Sequence, residues 1–459
     1  MVQPGTVQPG WAARPVRERL VIVRRLRHRI ALQATALAEA AARPGASAAD
    51  ILVSEVMPLL AACRFLERRA VAILADAPAR GGQPLWLMGT RLVVRRVPFG
   101  TVLVIGPGNY PLLLPGVQAV QALVAGNAVR LKPAPGGSAV MALLASLLAD
   151  AGLPPGLFTL LDDTAEAGRA AIAAGVDRVV LTGSAATGRV VLAQLAPLLV
   201  PATMELSGRD PLVLLPGADL DLAARAIVFG LTFNAGRTCI APRRVIVTEA
   251  ARAALIEHLV PLLAASPAIP AARPLLRRAR AILAEGGAAF GRADLLGDEA
   301  MAPLLVQAAA DSSWMQEDLF LPLAALVVVT DAAAALTAAN IGSYSLGAAV
   351  FGPAAAAAAF ARALRAGCVV VNDVVAPTAD PRLPFGGSGD SGFGTTRGAE
   401  GLLDCTRPQA IVARTRRSTR HMTVLPASSA GLVAHLLRLM YGAGSARLSA
   451  ARALVGRRV

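Results

Sequence analysis

Apolar residues recur at three- and four-residue spacing over 16–43 and again over 47–76. That predicts two helices, the second opening near the capping candidates Ser47 and Asp50. Residues 86–98 alternate and turn at Gly89, the pattern of a β-hairpin. Thr101–Ile105 is a short continuous apolar run, a buried strand. Short apolar runs at 128–131, 158–161 and 178–181 then alternate with helical stretches at 138–151, 164–174 and 185–196. Such alternation predicts a parallel α/β sheet. A second α/β region follows: a strand at 211–215, a helix from 219 to about 234, a strand at 244–247, a helix over 249–264, and strands at 325–329 and 367–372. Residues 384–394 form a glycine-rich loop, and 402–413 read as a last strand. In the tail beyond, 432–441 has an amphipathic pattern, and no fixed-period repeat occurs.

The 459 residues are 55% hydrophobic and 16% charged. This is enough for two or three domains with a sizeable core, and it excludes a disordered chain or a disulfide-stapled miniprotein. The 42 Gly and 32 Pro show no triplet period, which excludes a collagen-like chain. The longest apolar tract, 321–363, is diluted by alanine and broken by Asp331, Asn340 and Gly342, so it reads as core rather than a membrane span. The first twenty residues lack an apolar stretch of the kind a secretory signal carries. Cys63, Cys239, Cys368 and Cys405 form no C-x-x-C, and His28, His258, His421 and His435 have no metal-ligand spacing. The expectation is a reducing cytoplasm, no metal, and chemistry by a single thiol.

The net charge of +15 sits at the ends: residues 1–30 carry +6, residues 411–459 carry +9, and the body between is neutral. A nucleic-acid-binding fold would carry a basic face on the body itself, so no nucleic-acid partner is expected. The basic ends read either as solvated arginine or as a contact with anionic lipid or an acidic partner. Of the 45 basic residues only Lys132 is lysine. A compact ammonium is not interchangeable with a planar guanidinium, so its retention points to a specific position.

Four constellations can carry chemistry. Gly106-Pro107-Gly108-Asn109 follows a buried strand; it is an ordinary strand-to-helix turn, or it offers the Asn109 amide at a strand's carboxyl end, where α/β folds bind ligands. Thr182-Gly183-Ser184 is a second such turn, and the free N–H groups of a helix start attract phosphate. Glu205, in the otherwise apolar run MELSG, must be paired, exposed or functional. A partly buried Glu suits general-base work. Cys239 lies among small residues just past an apolar helix. It is either a core thiol or a nucleophile whose thiolate Arg237 favours.

Together the segments VPFGTVLVIGPGNYPLLL, AGNAVRLKP, VVLTGSAATG, MELSGRDP, NAGRTCIAP and LPFGGSGDSGFG resemble, in order and spacing, the aldehyde dehydrogenase superfamily, most closely its shorter, class 3-like branch. The resemblance covers roughly 15–412. It implies an α/β fold: a parallel-sheet cofactor domain (1–85 and 99–208), an α/β catalytic domain (209–401), a β bridging arm (86–98 and 402–413) that suggests a homodimer, and a basic tail (414–459). It implies that Cys239 attacks the aldehyde, that the Asn109 amide and the Cys239 N–H stabilise the oxyanion, and that Glu205 activates water on the thioester. It places Lys132, Gly183, Ser184, Asp318 and Phe320 on NAD or NADP.

Some positions depart from that pattern. Pro135 stands where an acid usually holds the adenosine ribose, which predicts that NADP is tolerated. Asp318 and Leu321 replace the usual Glu and Gly of the nicotinamide-ribose stretch, with Glu317 as a candidate substitute. Arg237, Arg209, Arg243 and Arg244 are unusual, and Arg237 either biases the site toward acidic aldehydes or points to solvent. The tail lies where some class 3 relatives carry a membrane-directing extension, so peripheral membrane contact is an expectation. The competing readings are a catalytically impaired scaffold on the same fold and a CoA-acylating dehydrogenase; the latter typically lacks the Glu that Glu205 matches.

Overall fold

The computed structural model describes residues 4–455 apart from 79–83, 85, 86, 88, 286, 318 and 415–421. The chain divides into two compact units, one of residues 1–76 and 95–409, the other of 77–94 and 410–459.

The larger unit is α/β and holds two mainly parallel sheets. The first has six strands in the order Gly392–Phe393, Ala202–Glu205, Arg178–Thr182, Thr101–Ile105, Ala128–Lys132, Phe158–Leu160. All pairs are parallel except that of Gly392–Phe393 with Ala202–Glu205. Chain order runs outward from Thr101–Ile105 first to one side and then to the other, so this strand marks a topological switch point. Ligands bind open α/β sheets in the crevice beyond such strand ends. The helix Leu113–Ala125 is buried at every residue beneath the sheet; its sequence is apolar except for Gln118 and Gln121, whose amides donate to the Thr182 hydroxyl and the Gly398 carbonyl.

The second sheet runs Ala289–Gly291, Leu304–Gln307, Leu323–Val329, Arg244–Thr248, Pro211–Leu214, Gly347–Phe351, Cys368–Val371, antiparallel only at its first pair. Its strands are built largely of apolar residues because helices cover both faces. Cores on either side centre on Leu212, Val245 and Phe351 and on Val213, Ile246 and Val350.

The N-terminal helical reading needs two corrections. The run 16–43 breaks at Gln33 into Val16–Leu32 and Ala34–Ala40. The second helix starts at Ala48 under a Ser47/Asp50 capping box and contains a π-helical turn at Leu52–Val56 before Met57–Ile73.

In the smaller unit, Ala77–Pro78 pairs antiparallel with the strand that begins at Thr90, in register Ala77↔Val94. The strand Thr90–Pro98 therefore pairs with a segment upstream of the expected hairpin; residues 86 and 88 of that hairpin lie outside the described residues. The third strand is Thr406–Arg414, not 402–413, because residues 402–404 end the helix Gly398–Asp404. The tail forms two helices packed on each other, Ala430–Tyr441 and Gly444–Val455. No helix among the described residues is long and apolar enough to cross a membrane.

Candidate active site

The site is built from two turns of the first sheet and one loop that follows the helix Leu220–Thr232. The helix Leu220–Thr232 ends short of the expected 234, and Asn234, Ala235 and Gly236 then take left-handed backbone angles in succession (φ 52°, 58° and 71°). An alanine in that region carries about 1–2 kcal/mol of strain. Glycine is required at 236, where a Cβ would stand 2.8 Å from the Leu231 carbonyl oxygen and from the Pro322 nitrogen. The fold holds this strain with hydrogen bonds: the Asn234 amide donates to the Asn109 carbonyl at 2.9 Å, and the Asn109 amide donates to the Arg237 carbonyl at 2.8 Å. Tyr110 and Thr238 hydroxyls lie 2.7 Å apart. The loop thus delivers Cys239 half-buried against the turn that carries Asn109. The Cys239 N–H makes no hydrogen bond among the described residues.

Glu205 ends the strand Ala202–Glu205 and is only 2% exposed. Its Oε2 accepts the Thr396 hydroxyl at 2.7 Å, and its Oε1 has no partner. Burial raises its pKa, against the Arg397 charge and the Thr396 bond. Burial and the neighbouring Glu205 and Asp210 carboxyls also hold the Cys239 thiol well above its ordinary range, with Arg397 opposing. The glycine-rich loop clamps this strand end: Gly392 pairs with Glu205, and a Cβ at 392 would collide with the Met204 carbonyl.

Cys239, Glu205 and Leu114 are shared by two cavities. One, about 470 Å³, is bounded by Gly108, Asn109, Thr182, Gly183, Ser184, Arg237 and Phe320. The other, about 210 Å³, is apolar and aromatic, with Met57, Leu113, Phe229, Phe233, Val375 and Phe385 in its wall and Arg397 as the only cation among its described lining residues. Arg397 is engaged by the Phe385 ring at 4.1 Å and the Thr378 carbonyl at 2.7 Å.

Six of the expected site residues, Cys239, Glu205, Asn109, Gly183, Ser184 and Phe320, therefore border one cleft. Lys132 does not line it; it ends the strand Ala128–Lys132, buried, with its pKa lowered by desolvation against the Asp163 charge. Its ammonium has no hydrogen bond or ion pair among the described residues. Asp318 lies outside the described residues. Glu317 is held by Arg278 at 2.5–3.0 Å, which lowers its pKa, and it does not border the cleft.

The unusual arginines prove structural in part. Arg243 donates to the Leu321 and Gly236 carbonyls, both at 2.6 Å, stapling the Phe320 wall to the Cys239 loop. Arg244 caps the C-terminus of the helix Ala332–Ala339 through the Ala338 and Ala339 carbonyls at 2.9 Å. Arg209 lies over the Tyr344 ring. Arg237 is half-buried, borders the larger cleft and not the apolar cavity, and donates to the Pro270 carbonyl at 3.3 Å. Thr396, Arg397 and Asp210 escaped the sequence reading, since nothing local marks them.

A family model described as the aldehyde dehydrogenase family matches residues 5–271 and 276–411. The chain belongs to the aldehyde dehydrogenase family. It is 31% identical over 399 residues to a 4,4'-diapolycopene aldehyde oxidase of Methylomonas sp, covering 83% of this chain and 74% of that protein. It is 31% identical over 425 residues to a putative NADP(+) succinate-semialdehyde dehydrogenase of Mycolicibacterium smegmatis, covering 88% and 82%. Among solved structures, gamma-glutamyl-gamma-aminobutyraldehyde dehydrogenase of Burkholderia cenocepacia superposes with a TM-score of 0.83 at 26% identity, over 90% of this chain and 87% of that one. That structure shares the chain's α/β fold.

Proposed function

We propose that the protein oxidises an apolar aldehyde to its carboxylic acid with NAD or NADP as oxidant. The observation that carries this reading is that Cys239 and Glu205 stand in the shared wall of two cavities, one bordered by the turns at Asn109 and Ser184 and one walled by apolar and aromatic side chains.

The larger cleft fits a dinucleotide. Ser184 caps the helix Ala185–Leu195 through the Thr187 N–H at 3.1 Å, and the Ala185 and Ala186 N–H groups ahead of it make no other hydrogen bond. Such N–H groups receive a pyrophosphate. Lys132 offers an unspent ammonium at the end of the strand Ala128–Lys132, Phe320 borders the cleft, and the family resemblance adds Asp318. Exposed Pro135 brings no carboxylate against a 2′-phosphate, consistent with use of NADP. When bound, the nicotinamide supplies the acceptor for the hydride that leaves the substrate carbon.

The chain's own residues do the rest. Ionised Glu205 takes the Cys239 proton as the sulfur adds to the aldehyde carbonyl and forms the C–S bond of a thiohemiacetal, and it then passes that proton to solvent. The Cys239 N–H and the second N–H of the Asn109 amide stabilise the oxyanion, each such donor being worth ~3–4 kcal/mol in comparable enzymes. Glu205 then takes a proton from the water that attacks the thioester; the acid leaves and the sulfur is regenerated. The apolar walls of the second cavity favour an apolar substrate over a dicarboxylic one, since Arg397 is already engaged.

The six-stranded sheet serves as the cofactor domain, the seven-stranded sheet as the catalytic domain, and the strands 90–98 and 406–414 as the arm of a homodimer. The test is reduced-nicotinamide absorbance with apolar and acidic aldehydes, NAD+ and NADP+ separately, without CoA. Wild type turns over apolar aldehydes, and Cys239→Ala abolishes turnover while still binding nucleotide. Turnover by Cys239→Ala, dependence on CoA, or no turnover by wild type overturns the reading, the last in favour of a scaffold.

A further inference from the structure

The apolar cavity opens beside a basic groove. Val53, Met57 and Phe229 line the cavity and are also 54%, 56% and 39% exposed, so they form its mouth. The helix that begins at Met57 and the loop 375–382 run on from this mouth into a neighbouring groove of about 790 Å³, and Ala376 borders both. Arg64, Arg68, Arg69 and Arg382 line the groove, with Asp380 as the one acid among its described lining residues. Asp380 pairs with Arg382 at 2.5 Å. The other three guanidiniums are exposed and make no ion pair or hydrogen bond among the described residues. Exposed arginines are ordinarily scattered; here three unpartnered cations share one groove beside an exposed apolar rim.

An apolar rim framed by arginine is the chemistry that suits a membrane interface: the apolar side chains enter the acyl boundary and the guanidiniums take lipid phosphates. We propose that this face docks on anionic phospholipid surfaces, so that the mouth of the apolar cavity opens onto the bilayer and takes up aldehydes dissolved in it. The proposal rests on the apolar cavity being the substrate path.

Sedimentation of the full chain with phosphatidylcholine vesicles, with and without phosphatidylglycerol, tests it. Wild type binds only the anionic vesicles. The variant Arg64→Gln/Arg68→Gln/Arg69→Gln binds them about 100-fold more weakly, ~3 kcal/mol at three neutralised contacts. Its kcat/KM falls for a long-chain aldehyde presented in those vesicles and is unchanged for a short, water-soluble one, which also reports correct folding. A matched variant in the tail helices, Arg438→Gln/Arg447→Gln/Arg452→Gln, retains binding. Vesicle binding by the groove variant equal to wild type overturns the proposal, as does loss of binding in the tail variant alone, equal binding to neutral vesicles, or a groove variant altered only in oligomeric state. Failure to oxidise any aldehyde strikes at the proposed activity instead, and leaves the vesicle result to stand separately.

Discussion

Arg43 and Asn234, distant in sequence, are joined by two hydrogen bonds, from Nε at 3.1 Å and Nη2 at 2.6 Å to the Asn234 Oδ1. The same guanidinium lies 2.5 Å from Glu55, which is wholly buried and accepts the N–H groups of Leu112 and Leu113 at 2.8 and 3.1 Å. One cation thus ties the N-terminal helices, the turn beyond Asn109 and the strained loop before Cys239.

Arg43→Met keeps most of the side-chain volume but leaves Glu55 buried without its partner. The expected cost is ~3–5 kcal/mol, read by denaturant unfolding. Because Asn234 also loses its anchor, kcat falls in the material that remains folded. An unchanged unfolding midpoint would contradict this account.

Thr396→Val removes the one hydrogen bond that Glu205 accepts. A bond to a charged acceptor is worth ~1.5–3 kcal/mol, and a pKa unit is ~1.4 kcal/mol. The acid limb of thioester hydrolysis, which follows loss of the Glu205 proton, moves alkaline by about one unit or more. Single-turnover pH profiles of acyl-enzyme decay measure it, and an unmoved limb refutes it.

Asp210 gives a stability prediction. It is buried below Cys239, its Oδ2 has no partner, and burial pushes its carboxyl up from 3.8 to about 8, against the Gly347 N–H and the charges of Arg244, Arg243 and Arg209. Below the lower value both folded and unfolded chains hold the proton. Between the two values only the folded chain does, so this group's contribution falls as pH rises and is fully lost above about 8. Asp210→Asn removes that slope, up to ~1.4 kcal/mol per pH unit within the window. Stability of wild type and variant between these limits gives the difference directly; parallel curves would exclude a raised Asp210.

Pro135→Glu restores a carboxylate near the expected adenosine ribose. Repulsion of a 2′-phosphate lowers kcat/KM for NADP+ about tenfold or more, ~1.4 kcal/mol, while that for NAD+ holds or improves. Equal loss with both nucleotides would place Pro135 away from the ribose.

Sequence pattern read four of the six strands of the first sheet, short apolar runs bounded by turn residues, and Thr101–Ile105 matches end to end; Ala202–Glu205 and Gly392–Phe393 went unread. The strand Gly347–Phe351, central to the second sheet, was invisible in GAAVF, where alanine and glycine carry no β signal and alanine-rich helices flank it on both sides. The turns bearing Asn109, Gly183 and Cys239 were legible because each follows a strand or helix whose end could be read. Thr396 was not, since its meaning comes from a carboxylate 191 residues earlier. Arg243 looked like an anomaly in sequence and proves to be a staple between carbonyls of two segments, which only the folded backbone brings together.

The common wall formed by Cys239, Glu205 and Leu114 has a consequence for inhibition. A bulky apolar compound plugging the smaller cavity leaves the larger one accessible from its own opening. Such a compound competes with aldehyde yet does not displace nucleotide, and an acyl group left on the sulfur need not wait behind a departing nucleotide for its water to arrive. Two doors on one reacting pair let each occupant come and go on its own clock.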